Sequence, residues 1–338
     1  MYQLSSNMQT LIEKESKGKK HIKLTVGTLV NGEKTIQTFG ENGEVPNENY
    51  TYEIGSITKT FTTSLLAKYV HEGKMSLDDP ISKYVDGLDD GYYPTLRRLA
   101  THTAGYGFLP ATFWTGIKML LLPPLLGSRN GGVLPDCLRI DENKMKSLLL
   151  TNPKEDKDYK WEYSNFGLGL IGYAIGKVSG KGYFTTMNEF LVQELEMPNS
   201  YTGINPDKNL HGFSKKNKNI GNWNFEKTII SSAGDISATA EDMLTYAQKH
   251  MNGELPYLAL THEKYTTVRK GISSSGLAWI ITGDKDEIIV HNGGTGAFDS
   301  LLIIDKHKKL AYIVLSNYLI NPNKLYATVL DEIKKIKI

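Results

Sequence analysis

Strand-like segments occur near both ends of the chain, with a long stretch of different character between them. From His21 to Phe39, apolar and polar residues alternate around Asn31-Gly32, a dipeptide typical of a tight β-hairpin. From Gly276 to Leu319, strand-like segments with short connections predict an antiparallel meander. We therefore expect an α/β fold, in which an antiparallel β-sheet flanked by helices is built jointly by the N- and C-terminal segments.

The middle of the chain predicts a mostly helical insertion. Between about Met75 and Tyr201, loops rich in Gly and Pro alternate with helical pieces. We expect residues 1–74 and 226–338 to form the sheet domain and residues 75–225 a mainly helical domain, with the active site between them. A final helix with an asparagine cap is expected after Leu319.

Composition narrows the classes of function. The 338 residues include 39 basic and 37 acidic side chains, a net charge of +2, so nothing favours nucleic acid or anionic lipid as a partner. A small-molecule or peptide substrate is the better expectation. The single cysteine, Cys137, excludes an internal disulfide and a thiolate zinc cluster, and no histidine spacing is typical of a metal site. We predict no metal and no cofactor.

No transmembrane segment is predicted. The most apolar run, Met119–Gly127, is about half the length needed to span a bilayer and contains Pro123 and Pro124. The N-terminus has the pattern of a short amphipathic helix and lacks the apolar core of a signal peptide. The given chain therefore favours the cytoplasm, although a leader removed from it would place the protein outside.

Ser56 and Lys59 are a candidate catalytic pair in the segment IGSITKTF. A helix is predicted over Thr58–Glu72, so Ser56 lies at its first turn, where the helix dipole favours developing negative charge. A lysine three residues later projects from the same face, and burial would make its amine usable as a base. Taken alone, the spacing is far more typical of an N-cap followed by a solvated lysine.

Two further polar groups are candidates for the same site. Tyr163 and Asn165 in EYSNFG could present a phenol and an amide to one cavity from a loop. His291 in VHNGGTGAF lies in a strand that leads into a glycine-rich turn, where a backbone N–H can approach a substrate closely. Each of these groups alone is more typical of ordinary loops and turns.

In this order, the three groups resemble the serine β-lactamase and penicillin-binding-protein superfamily, specifically its class C β-lactamase-like branch. That branch also holds DD-peptidases, D-aminopeptidases and esterases, and its pattern is S-x-x-K, then Y-x-N, then K-T-G or H-x-G. Further segments from about Tyr50 to Asn317 resemble the family: MSLDDPISKYV, TLRRLATHTAGYG, YSNFGLGLIGYAIGKVSG and SSAGDISATAEDM.

The resemblance implies a serine acyl-transfer mechanism. Ser56 would attack an amide or ester carbonyl, with Lys59 and Tyr163 sharing the proton transfers. Asn165 would orient Lys59 and the substrate amide. The backbone N–H groups of Ser56 and Gly294, beside Gly293, would form the oxyanion hole.

His291 departs from the lysine that β-lactamases often carry in the third motif, so a fixed cation for a substrate carboxylate is missing. The leading hypothesis is therefore a serine hydrolase that acts on a D-amino-acid-containing peptide or an ester. A true β-lactamase is the alternative of the same fold. A non-catalytic penicillin-binding sensor of cell-wall fragments is the alternative of another class.

Other signals have simpler interpretations. GLGLIG (Gly167–Gly172) matches a dinucleotide-binding pattern but follows a loop, so close helix packing explains its glycines better. His102 is interpreted as a hydrogen-bonded structural residue. The apolar segment 108–134 is either core of the helical region or an active-site lid or docking segment.

Overall fold

The computed structural model describes residues 2–108, 133–283, 285 and 287–336. Its main element is a nine-stranded antiparallel sheet. The strands are β1 Leu24–Val30, β2 Glu33–Gly40, β3 Gly43–Val45, β7 Thr266–Arg269, β8 Ser273–Ser275, β9 Ile280–Thr282, β10 Ile288–Gly294, β11 Asp299–Asp305 and β12 Leu310–Ser316. They are arranged β3-β2-β1-β12-β11-β10-β9-β8-β7, with a small second sheet of β4 Tyr52–Glu53, β6 Ile236–Ala238 and β5 Tyr201–Thr202.

Both ends of the chain contribute to the main sheet, as predicted. Strand β1 pairs with β12 over its full length, from Leu24 opposite Ser316 to Val30 opposite Leu310. The predicted hairpin joins β1 to β2 through Asn31 and Gly32, whose φ angles of 51° and 83° are those of a tight two-residue turn. The α/β fold with an antiparallel sheet is therefore confirmed.

The predicted meander is confirmed over β9–β12, with one shifted boundary. The sequence predicts one continuous strand over FDSLLIIDKHKKL, Phe298–Leu310, but this segment contains a turn, because β11 ends at Asp305 and β12 begins at Leu310. Lys309, with φ of 49°, takes the left-handed conformation that closes this turn. Strands β7 and β8 were not predicted, since β8 is made of three serines without apolar alternation.

Helices cover both faces of the sheet. They are α1 Ser6–Ser16, α2 Thr58–His71, α3 Leu96–Ala100, α4 Glu142–Thr151, α5 Asn165–Ser179, α6 Tyr183–Glu189, α7 Ala240–Asn252 and α8 Pro322–Lys335. On β10, Ile289 packs into one core with α2 and α5, whereas Val290 packs into the other with α1 and α8. This alternation is the strand period of two. The predicted cap of the last helix is Asn321, which accepts from Lys324 N at 3.1 Å.

The predicted helical insertion contains α3 to α6, and the strands of the main sheet lie in the two segments predicted to build it. The boundaries of the two proposed domains stay a prediction. GLGLIG lies inside α5, where a Cβ on Gly172 would come within 2.3 Å of Ser232, so close packing does account for it. Among the described residues, no helix is long and apolar enough to cross a membrane. Most of the segment 108–134 lies outside the described residues.

Candidate active site

Ser56 lies in a single 3-10 turn, Gly55–Ile57, which leads directly into α2. Gly55 has φ of +50°, and a Cβ there would come within 2.6 Å of the backbone nitrogen of Gly294. Only glycine therefore lets this turn pack directly on the end of β10. The packing places the Ser56 hydroxyl at the N-terminal end of α2, as the sequence predicts.

Lys59 contacts Ser56 from the next turn of the helix. Its Nζ lies 3.0 Å from Ser56 Oγ and 2.7 Å from the carbonyl oxygen of Ala233, and its side chain has no exposed surface. No carboxylate pairs with it among the described ion pairs. Burial holds the pKa of Lys59 well below its usual value. Burial therefore favours the neutral amine, which is the form that can accept the Ser56 proton.

Tyr163 lies on the other side of this pair. The Lys59 Nζ is 4.8 Å from the centre of the Tyr163 ring, and the phenol interacts with the Ser56 hydroxyl. Burial raises the pKa of Tyr163, an effect that Ser56 only partly opposes. The phenol therefore keeps its proton near neutral pH and is suited to donate it.

The Y-S-N segment is held by the start of α5. Ser164 caps this helix by accepting from Gly167 N at 3.0 Å, and the Asn165 N–H donates to the Phe108 carbonyl at 3.1 Å. Asn165 is buried near the site. The described hydrogen bonds of Lys59 go to Ser56 and Ala233 and not to Asn165, so the role of Asn165 in orienting Lys59 stays a prediction.

His102 fixes the same segment from behind. Its Nδ1 accepts from Ser164 N at 3.1 Å, and its carbonyl accepts from Glu162 N at 2.9 Å. Its ring lies 4.9 Å from that of Tyr163. The hydrogen-bonded role predicted for His102 is confirmed, but its position against Tyr163 could not be read from residues that are 61 positions apart in the chain.

His291 faces the site from β10. Pairing between β9 and β10 covers Ile288–Val290, and His291 follows where this pairing ends. Because a carbonyl can only accept, the 2.7 Å contact of Nδ1 with the Asn292 oxygen places a proton on Nδ1 and leaves Nε2 as an acceptor. Burial lowers the pKa of His291 to about 3. The third motif therefore supplies an uncharged ring.

Gly293 and Gly294 bring β10 against the serine turn. A Cβ on Gly293 would lie 2.0 Å from the Ile54 carbonyl oxygen and 2.9 Å from Ser56 N. Ser300 on the neighbouring strand donates to the same Ile54 oxygen at 2.8 Å. This contact brings the backbone of Ser56 close to that of Gly294. Their role as an oxyanion hole stays a prediction.

A cavity of about 340 Å³ opens beside these motifs. Tyr163, His291, His102 and Trp161 line one part of it, and apolar side chains of the sheet and of α8 line the rest. No lysine or arginine is among the described lining residues, and Asp299 is the single charged one. The motifs thus border a largely apolar cavity whose described lining carries no lysine or arginine.

Comparison with known proteins identifies the family. A family model described as Beta-lactamase matches residues 8–331. The chain belongs to the beta-lactamase family of serine hydrolases. The resemblance of the three motifs to that family is therefore confirmed.

Individual members of the beta-lactamase family are distant. The chain is 24% identical over 312 residues to the D-alanyl-D-alanine-carboxypeptidase/endopeptidase AmpH of Escherichia coli K12, covering 84% of this chain and 76% of that protein. It is 24% identical over 238 residues to a beta-lactamase of Providencia stuartii, covering 68% of this chain. The match spans about half of the Providencia protein, or 55% of its length.

Solved structures of the beta-lactamase family share the fold. The Beta-Lactamase/D-Alanine Carboxypeptidase from Pseudomonas syringae superposes with a TM-score of 0.79 at 16% identity, covering 98% of this chain and 99% of that one. A D-stereospecific amidohydrolase from Streptomyces sp. superposes with a TM-score of 0.73 at 20% identity, covering 96% and 98%. These identities support the fold alone.

Outside the beta-lactamase motifs, one histidine pair was not predicted from the sequence. His250 Nδ1 and His262 Nε2 lie 2.8 Å apart beneath Trp279. No group of three or more potential ligands forms a metal site within the described ranges. The two side chains meet because the 3-10 helix Pro256–His262, which follows α7, packs back against it.

Proposed function

We propose that the protein is a serine hydrolase that forms an acyl-enzyme at Ser56 while cleaving an ester or a D-amino-acid-containing peptide bond. The observation that carries this proposal is the 3.0 Å contact between Ser56 Oγ and the buried Lys59 amine. A solvated lysine beside an N-cap, the other interpretation of the spacing, would keep its proton and could not activate the hydroxyl.

Acylation begins when Ser56 Oγ attacks the carbonyl carbon and its proton moves to the Lys59 amine. The Ala233 carbonyl, at 2.7 Å, accepts a hydrogen bond from the amine and orients its lone pair toward Ser56. The carbonyl oxygen gains negative charge, which the N–H groups of Ser56 and Gly294 stabilise. The nearby end of the α2 dipole acts in the same direction.

Collapse of this intermediate breaks the bond to the leaving group. The Tyr163 phenol, protonated because burial raises its pKa, donates a proton to the departing oxygen or nitrogen. The Lys59 ammonium then returns a proton to Tyr163. Water attacks the acyl-enzyme with Lys59 again as the base, which releases the acid and restores Ser56.

The site lacks a fixed positive charge at the third motif, which favours substrates that have no carboxylate to place there. His291 is uncharged, and burial favours the neutral form of Lys59. This balance supports esters and amides over penicillins, whose carboxylate needs a cation. Two relatives, a D-alanyl-D-alanine-carboxypeptidase/endopeptidase and a D-stereospecific amidohydrolase, support D-configured amides as the peptide class.

Steady-state hydrolysis tests the proposal. We expect the protein to hydrolyse p-nitrophenyl butyrate or a peptide that ends in D-alanyl-D-alanine. Ser56→Ala should abolish this activity. Ser273→Ala, a serine on the distant strand β8, is the matched control and should retain it. Full activity of Ser56→Ala, or no hydrolysis of either substrate by the unaltered protein, would contradict the proposal.

Benzylpenicillin separates this function from its alternatives. A slow Ser56 adduct without antibiotic turnover fits a peptidase, and rapid consumption of the antibiotic would identify a β-lactamase instead. An adduct with no hydrolysis of any ester or peptide would favour the penicillin-binding sensor.

A further inference from the structure

The tautomer of His102 follows from its hydrogen bond to the backbone. Nδ1 lies 3.1 Å from Ser164 N, and a backbone N–H can only donate, so Nδ1 carries the lone pair. His102 is 2% exposed, and its burial holds the pKa of the ring well below the usual value. His102 is therefore neutral, and its proton resides on Nε2.

Two buried N–H donors in this region have no partner among the residues that the structure describes. These donors are His102 Nε2 and Trp161 Nε1, both of which are buried without a hydrogen bond to the described part of the chain. Their rings meet edge to face, 5.8 Å apart, and both residues line the same cavity as Tyr163 and His291. An unsatisfied buried donor costs about 1–3 kcal/mol, so a pair at one cavity wall points to an acceptor that arrives with a ligand.

The surroundings of the two donors restrict the acceptor. The described lining holds Asp299 but no lysine or arginine, and Val290, Leu301 and Leu325 make much of the remaining wall apolar. A carboxylate would lose its hydration here without gaining a counter-charge. A ketone, ester or ether oxygen has two lone pairs for two donors and is much cheaper to desolvate.

We propose that His102 and Trp161 form a second binding site, in which Nε2–H and Nε1–H donate to one uncharged oxygen of the substrate. The site rests on the proposed function, because it names a feature of the substrate that Ser56 cleaves. The His102 ring is 4.9 Å from the Tyr163 ring, which in turn adjoins Ser56. The recognised oxygen therefore lies a few bonds from the scissile carbonyl, next to an apolar chain.

Substitutions at His102 can separate its two nitrogens. Asparagine reproduces the Nδ1 acceptor, tolerates the φ of +62° at this position, and lacks the Nε2 donor. Glutamine reproduces the Nε2 donor but not the Nδ1 acceptor. Trp161→Phe removes the second donor and keeps an aromatic ring. Trp223→Phe, in a loop outside the cavity lining, is the matched control.

Ester pairs that differ by one oxygen measure the site. We compare p-nitrophenyl 4-oxopentanoate with the pentanoate for the acyl side, and 2-methoxyethyl butyrate with butyl butyrate for the alcohol side. The unaltered protein should prefer the oxygenated member of one pair by about tenfold in kcat/KM, in line with one or two hydrogen bonds. His102→Asn and Trp161→Phe should bring this ratio close to one.

The remaining variants distinguish substrate binding from a purely structural role. Trp223→Phe should keep the preference. His102→Gln should also keep it while activity falls equally on both members of a pair, because Ser164 N loses its acceptor. If His102 only holds the loop, His102→Asn would instead keep the ratio of the unaltered protein, and that result would overturn the proposal.

Binding to Ser56→Ala separates failure of this site from failure of the proposed function. In a ¹H–¹⁵N spectrum, the Trp161 indole signal is identified by its loss in Trp161→Phe. It should shift on addition of p-nitrophenyl 4-oxopentanoate or 2-methoxyethyl butyrate, and much less with the esters that lack the extra oxygen. Equal responses within both pairs would overturn the proposal, whether or not the unaltered protein hydrolyses esters.

Discussion

Lys59 is the residue whose replacement most clearly separates catalysis from stability. Methionine matches its length and removes the amine, so Lys59→Met should lower kcat/KM for p-nitrophenyl butyrate by about 10²- to 10⁴-fold. The melting temperature should be unchanged or higher, because a buried amine is costly. Steady-state kinetics and thermal unfolding of the same samples measure both effects.

Lys68→Met is the control for that substitution. Lys68 lies on the same helix but forms ion pairs with Glu72 and Glu194 near the surface. Its loss should leave kcat/KM within about twofold, as is usual for surface charges. An active Lys59→Met variant would mean that Ser56 is activated by another base.

Replacement of Tyr163 is predicted to lower kcat/KM more for substrates whose leaving group is more basic. Tyr163→Phe removes the proton donor, so hydrolysis of an alkyl butyrate should fall by about 10²-fold or more. Hydrolysis of p-nitrophenyl butyrate should fall far less, since p-nitrophenolate departs without protonation. Equal losses of kcat/KM on both esters would contradict the role of Tyr163 as the acid.

Among the elements, the contact of β10 with the serine turn tests the geometry of the site. Gly293→Ala would place a Cβ 2.0 Å from the Ile54 carbonyl oxygen, which neither backbone segment can avoid. We expect a loss of about 1–3 kcal/mol in the free energy of unfolding and about 100-fold in kcat/KM. Urea unfolding and kinetics measure these effects.

Gly91→Ala is the control for Gly293→Ala. A Cβ on Gly91 meets nothing within 4 Å, and its φ is not positive, so both quantities should stay nearly unchanged. A stable and active Gly293→Ala variant would show that the turn and β10 are farther apart in solution.

The contact between α7 and the 3-10 helix Pro256–His262 predicts a dependence of stability on pH. His250 and His262 share one hydrogen bond, and burial, with a smaller effect of Lys306, lowers both pKa values, that of His262 to about 3. The unfolded chain binds protons near pH 6.5 and the folded one does not. Stability is therefore full above about pH 6.5 and falls as the pH drops.

His262→Gln isolates this effect, because its amide replaces Nε2 without titrating. Between pH 7.5 and pH 5, the unaltered protein should lose about 1–2 kcal/mol more of its unfolding free energy than this variant does. Urea midpoints at the two pH values give the comparison. Identical losses would mean that His262 is protonated in the folded protein.

The elements that the sequence predicts well are those with local causes. Asn31-Gly32 specifies its turn by its own conformational preferences, and α2 ends near Gly73, whose φ is +68°. Strand β8 was missed because its three serines have no apolar period, and pairing with β7 and β9 alone makes it a strand. Its strand conformation depends on pairing with the neighbouring strands and not on its own sequence pattern.

At the scale of the whole molecule, the two ends of the chain meet twice. Strand β1 lies beside β12, and α1 packs on α8, where Glu332 accepts hydrogen bonds from Tyr2 and Ser5. The contacts of Glu332 join residues more than 320 positions apart, such as Ser5 and Glu332 at a separation of 327. The sequence predicted that strands from both ends would share one sheet, but it did not predict the hydrogen bonds of Glu332.

The candidate site was predictable to the extent that its motifs are short. Ser56 and Lys59 are neighbours on one helix, so their contact follows from helical geometry. That Tyr163 and His291 join them was inferred only through the family resemblance. The N–H donors of His102 and Trp161 were not predicted. The sequence does not show which buried polar groups lack a hydrogen-bond partner among the described residues of the folded chain.

The most direct test of the account is the mass of the intact protein during turnover of p-nitrophenyl butyrate, quenched in acid within milliseconds to seconds. We predict an added butyryl group that peptide mapping places on Ser56, that disappears when substrate is exhausted, and that is absent in Ser56→Ala. Hydrolysis without an adduct at any quench time, or an adduct on another residue, would contradict the account.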